Sequence, residues 1–270
     1  MRRLIRSRRG RVLLGAAVGA LVIAGIVGAR AGLVARDHVK VVTVEQALQR
    51  FRDNDQAVQQ LEGVYAVDTT GSESVDVLGG ARHRYPATTT LTVTRSACGL
   101  HLDWRALEGR STTWDLCSTP DGSELRATSE QHRFFWETDT TRYTCTGALL
   151  TAAAGTAATT TLSADRRGPA AVRRYHGITA TGFEDGEIHE LGIENVLVGD
   201  VTHTAVHVRT TATIGGASRG TEKVEWWLDT DTALPLRIVL SSRSGRNTIV
   251  GNVHYREDAD LRLSSLVPRR

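Results

Sequence analysis

The chain has 270 residues, of which 40% are hydrophobic, 5% aromatic and 23% charged, and a formal net charge of +3. That length allows a sizeable core in one large domain or two smaller ones. The first 36 residues hold eight arginines and no acid; removing those eight from 33 leaves 25 basic against 30 acidic residues, so the remainder carries about five net negative charges, which excludes a nucleic-acid-binding face.

Residues 1–11 read MRRLIRSRRGR, a basic tail. The run from Val12 to Ala29, VLLGAAVGALVIAGIVGA, is uncharged. At ~1.5 Å per residue it just spans a hydrocarbon core. Arginines on its near side place the N-terminus in the cytoplasm. Residues 12–35 therefore read as a transmembrane anchor or a signal peptide. The second reading uses Ala29-Arg30-Ala31, with cleavage after Ala31; the length favours the anchor. Residues 36–270 are then extracytoplasmic: tethered to the cytoplasmic membrane, or secreted if cleavage occurs.

Thr43-Val44-Glu45-Gln46 has the form of a capping box, and Val44, Ala47, Leu48 and Phe51 follow at helical spacing, which predicts a short helix over 44–53. From residue 63 the period changes to two. Strands are predicted over 63–68, 74–78, 88–95, 99–105, 111–116, 124–128 and 132–138. A small-residue-rich stretch, 148–174, reads as a loop. Strands resume over 187–197, 201–214, 222–229, 234–241 and 248–255. The domain divides into two β halves, 60–147 and 175–270, joined by that loop. Antiparallel pairing is the natural outcome of so many short strands with close turn signals.

An exported domain permits disulfides, and the cysteines are Cys98, Cys117 and Cys145. A turn centred on Leu107-Glu108 sets Cys98 opposite Cys117 and leaves Cys145 free. The apolar faces conflict with that register, and a bulge at Gly99 or Gly109 would reconcile them. Cys117–Cys145 is the alternative pair.

The stretch KVEWWLD, 223–229, holds adjacent tryptophans that must point to opposite faces of a strand. Matching apolar faces pairs Trp226 with Ile238 and Leu228 with Leu236, around a turn centred on Thr232. Trp227 then lies on the mixed face near Glu225, Arg237 and Val239. Stacking on Arg237, cover by another segment, or a role in binding would each account for it.

Trp227-Leu228-Asp229, Thr232 and Leu234-Pro235-Leu236-Arg237 resemble a hairpin of periplasmic lipoprotein carriers. The resemblance implies a curved antiparallel sheet, an open half-barrel whose concave face holds acyl chains, with a short N-terminal helix and a preceding transmembrane helix. Carriers place Gly where Ala233 stands. Arg84-Tyr85-Pro86, Trp114-Asp115-Leu116-Cys117, His132-Arg133-Phe134-Phe135 and Tyr143-Thr144-Cys145 are similar to a group of actinobacterial membrane-anchored proteins, a resemblance that brings no activity with it.

Chemistry is sparse. His203 and His207 share a strand face with Arg209 and lack a third ligand. His101 and Asp103 read as an exposed ion pair. No G-x-S-x-G elbow, H-E-x-x-H or phosphate loop is present, so neither catalysis nor a cofactor is expected. The first expectation is a membrane-anchored protein that binds lipid or a lipoprotein acyl chain, with Trp226, Leu228, Leu236 and Ile238 lining the apolar face. The alternatives are an envelope protein–protein interaction or sensor module with a closed core, and a secreted hydrolase.

Overall fold

A computed structural model describes residues 39–52, 61–120, 122–152, 172–248 and 251–270. The anchor and most of the long loop lie outside these residues. Among the described residues no helix is long and apolar enough to cross a membrane.

Helix α1, Val44–Arg52, is closed at its start by the expected capping box. The Thr43 N–H donates to Gln46 Oε1 at 3.1 Å and the Gln46 N–H donates to Thr43 Oγ1 at 3.3 Å. This reciprocal bond satisfies two donors that a helix N-terminus leaves unpaired. Ala47 is buried on its inner side.

The rest is one antiparallel sheet. Its strands are β1 (Gly63–Val75), β2 (Ala81–Arg84), β3 (Thr88–Arg95), β4 (Gly99–Leu107), β5 (Arg110–Thr119), β6 (Gly122–Phe134) and β7 (Glu137–Thr146). They continue with β8 (Leu149–Ala152), β9 (Val172–Ile178), β10 (Gly182–Val198), β11 (Val201–Gly216), β12 (Arg219–Asp229), β13 (Pro235–Thr248) and β14 (Gly251–Leu263). Around the sheet each strand pairs with the next in sequence, except that β1 pairs directly with β3 and β7 with β9, because β2 flanks β1 and β8 flanks β6. The last strand then pairs with the first, from Val67↔Leu263 to Val75↔Tyr255.

That closing pair corrects the open half-barrel: the sheet is a ring, and segments 60–147 and 175–270 belong to the same ring. Closure removes the free edges that a half-barrel exposes. Bulges between Arg105 and Leu107, Asp115 and Leu116, Glu190 and Gly192, and Trp227 and Leu228 supply the coiling. Gly71 sits where β1 leaves β3 and takes up β2. Its φ is +140°, and a Cβ there would lie 2.1 Å from the Asp258 carbonyl oxygen of β14.

Several strand limits differ from expectation. β1 runs unbroken through the gap expected between 68 and 74. The predicted strand 132–138 spans a hairpin turn, because the run Phe134-Phe135-Trp136 masks it. β8 and the first three residues of β9 fall in the stretch read as loop, where alanine and threonine hide the alternation. The expected strand 248–255 likewise straddles the ends of β13 and β14.

Candidate functional site

The inner face has two zones. In one, Tyr65, Val67, Leu91, Val93, Leu102 and Trp104 face Trp226, Leu228, Leu236 and Ile238 as a single buried cluster. The four residues expected to line an acyl-binding face are together here, none more than 3% exposed. Trp226 pairs with Ile238 as expected; Leu228 pairs with Pro235 rather than Leu236, because the bulge after Trp227 shifts the register. Ala233 takes φ +58°, in the left-handed region, at a cost of roughly 1 kcal/mol.

This zone is full. Trp114 of β5 meets Trp226 of β12 edge to face, 5.3 Å between centroids. The void beside Leu236, Ile238, Leu261 and Leu263 is about 10 Å³, room for at most one water. The open concave face expected for acyl chains is therefore a packed core. Trp226 Nε1 is buried with no hydrogen-bond acceptor among the described residues.

The second zone is polar, and the sequence reading missed it. His83, Glu73, Glu257, Ser242 and Glu222 stand side by side across β2, β1, β14, β13 and β12. From the facing wall Arg110, wholly buried, donates to both oxygens of Glu257 at 2.9 and 2.6 Å. Tyr85 also donates to Glu257, and Tyr255 does so at 2.8 Å. His132 Nδ1 lies 3.0 Å from Glu73 Oε2 and its Nε2 lies 3.4 Å from Glu130. His83 takes the other Glu73 oxygen at 3.0 Å. Trp104 packs its ring 5.1 Å from the Arg110 guanidinium.

These contacts set the protonation states. Burial raises the Glu73 carboxyl, but hydrogen bonds from His132 and His83, with the Arg110 charge, outweigh it and hold it at about 2. Burial and Arg110 depress His132, yet Glu130 and Glu73 lift it to about 9. On the far side burial raises Glu184 to about 7 against the hydrogen bond from Tyr175. Burial, reinforced by Glu130 and Glu184, pushes Glu222 well above the usual carboxylate range. Paired charges thus lie on one side and neutral acids on the other. Among the described residues no group of three or more side chains is placed to hold a metal.

The signal for this zone is readable in retrospect. Arg110 continues the alternation Thr112, Trp114, Leu116; Glu222 continues Val224, Trp226, Leu228; Glu257 continues Ala259, Leu261, Leu263. A charge in the parity of an apolar face must find a partner inside or lose its charge.

Outside, Trp227 is covered and only 6% exposed. It lies between the His207 ring, at 4.1 Å, and the Arg237 guanidinium, at 4.7 Å. Its Nε1–H donates to Glu194 at 2.8 Å. On the face expected to be solvated, His207 itself is buried, and its ring nitrogens meet Glu194 at 2.8 Å and Glu225 at 3.0 Å, while His203 and Arg209 stay partly exposed. His101 pairs across strands with Asp115 at 2.5 Å rather than with Asp103, which holds Arg105. Cys98 and Cys117 form a disulfide and Cys145 is free and buried. The bulge lies at Ala106, and Cys98, just before β4, reaches Cys117 diagonally; the strands thus keep Leu102 opposite Trp114.

A concavity of about 1020 Å³ forms an outer groove across β9–β13. Thr211, Thr213 and Thr221 form its floor between Arg174, Glu187 and Lys223. The lining mixes these charges and hydroxyls with apolar surface, as protein–protein contact surfaces do.

No family model and no curated protein matches the chain. Among solved structures it is similar to a hypothetical lipoprotein, YmcC, from Escherichia coli K12. The identity is 11%, over 81% of this chain and 96% of that one, with a TM-score of 0.28. The likeness is too slight to bear on function.

Proposed function

We propose that the chain is a membrane-tethered, extracytoplasmic barrel of the cell envelope. It acts without catalysis, by binding another envelope protein on its outer face. The observation that supports this most is the contact between Trp114 and Trp226, which makes the apolar lumen a core rather than a ligand cavity. The Cys98–Cys117 disulfide fits an oxidising compartment, and residues 12–35 supply the tether. The outer groove offers a binding surface of mixed character.

Photo-crosslinking in the native envelope tests this. A photoreactive residue at Thr213 or Thr221, in the groove, should give a discrete protein adduct. The same residue at Arg126, exposed on the far wall, should not. Adducts equal at all three positions, or absent from the groove, would refute the reading.

A second reading, binding of lipid or a lipoprotein acyl chain inside, has one observation in its favour. Among the described residues the ring is thinnest between β7 and β9, which share three residue pairs from Thr144↔Ile178 to Thr146↔His176. Parting that join would reach the inner face beside Tyr143 and Cys145.

A further inference from the structure

The β6–β7 hairpin ends in a turn of two aromatic residues. Phe134 pairs with Glu137, leaving Phe135 and Trp136 as the connection. Two-residue hairpin turns need a positive φ at the first position and normally place Gly, Asn or Asp there. Here Phe135 has φ +58°. For a bulky side chain this is a true outlier, a strained backbone conformation. The strain gains no burial for its neighbour: Trp136 is 67% exposed, whereas the other four tryptophans are buried. An isolated exposed apolar residue needs no explanation. A tryptophan held in solvent by a strained aromatic turn does.

The location of this turn is informative. Where the described chain begins, the Glu108 N–H donates to the Lys40 carbonyl at 2.7 Å, and Val41 bridges Leu107. The first residues are therefore fixed to the β4–β5 turn. That turn touches the aromatic hairpin: a Cβ at Gly109 would fall 2.4 Å from Arg133 Cβ. Four residues, 36–39, separate Lys40 from the segment read as the anchor, a span of at most about 18 Å at ~3.6 Å per residue. The barrel end that carries Trp136 therefore sits next to the bilayer.

We propose that the Phe135-Trp136 turn is a membrane-interface anchor that seats the barrel on the bilayer holding its own N-terminal segment. Tryptophan suits that layer, because the ring prefers the headgroup boundary while its N–H stays hydrated. Arg133, exposed and without an ion pair among the described residues, lies beside the turn to meet lipid phosphates. Glu137 and Asp139, which follow it, are offset by Arg246 reaching across the mouth at 3.6 and 3.5 Å. The inference rests on the tethered reading of the N-terminus.

The test uses the full chain in vesicles of phosphatidylcholine and phosphatidylglycerol, with bromine on the acyl carbons nearest the ester. Bromine quenches only tryptophan within contact range. Wild-type fluorescence should be quenched by brominated relative to ordinary vesicles, and the quenching should disappear in Trp136→Phe. Equal quenching in both proteins, with the chain still resistant to alkaline extraction, would overturn the anchor and leave the tether intact; the tip would then face water or a protein. Release of the chain by alkaline extraction would overturn both.

Discussion

Trp114 and Trp226 touch edge to face although their strands, β5 and β12, lie six places apart around the twelve-strand ring in either direction. A ring of that size would enclose open space if it were round. The contact shows that it is flattened, with opposite walls packed as in a sandwich. The inner zone around these residues is therefore load shared by both walls, and its loss should be felt throughout the fold.

Replacing Trp226 or Trp114 by Ala should destabilise the domain by about 3–5 kcal/mol, as for other fully packed aromatics. Trp226→Phe should cost far less, because it also removes an indole N–H that has no acceptor, a group whose burial costs about 1–3 kcal/mol. Urea unfolding followed by circular dichroism gives both values.

The Arg110–Glu257 pair predicts a different pattern. Arg110→Met strands Glu257 and Glu73 in the core and should cost about 3–5 kcal/mol. Adding Glu257→Gln should recover part of that loss, since one uncompensated charge is then gone. Purely additive losses in a double-mutant cycle would show that the two side chains are not coupled.

Stability should peak in mildly acidic solution. Glu73, held at about 2, contributes stability that is present above its unfolded value near 4.5 and lost as pH falls toward 2. Glu184, raised to about 7, favours the fold while protonated; that contribution is complete below about 4.5 and lost as pH rises through 7. His132, raised to about 9, contributes fully below 6.5 and loses its share on the way to 9. Melting temperature against pH should therefore pass through a maximum between about 4.5 and 6.5. A maximum above pH 8 would mean that the polar zone is wet.

Thiol chemistry should follow burial. Burial, aided by Glu184 and Glu222, pushes the Cys145 thiol up to about 12, so the native, non-reduced protein should not react with an aromatic disulfide reagent. One equivalent should react after denaturation. Reducing Cys98–Cys117, which closes a loop of 19 residues, should lower stability by about 3 kcal/mol.

Much of the fold was legible because alternation and turn chemistry are local. The pairing of Trp226 with Ile238, the capping box at Thr43 and the Cys98–Cys117 link all come from neighbours within about 20 residues. Ring closure is not local: β1 meets β14 across 180 residues or more, and no periodicity encodes it. The same holds for the polar zone, where Arg110 finds Glu257 across 147 positions. The four residues assigned to an acyl face share one buried cluster, but whether such a face is open or closed depends on what stands opposite. Here that is Trp114, from the other half of the chain.

The measurement that tests the closed lumen most directly is photolabelling of the full chain in its membrane by a phospholipid with a photoreactive group in its acyl chain, with labelled peptides mapped by mass spectrometry. A closed core predicts no label on the β12–β13 peptides holding Trp226, Leu228, Leu236 and Ile238. Label on those peptides, abolished by Leu236→Asp in a protein that still folds, would contradict it and establish acyl binding inside the barrel.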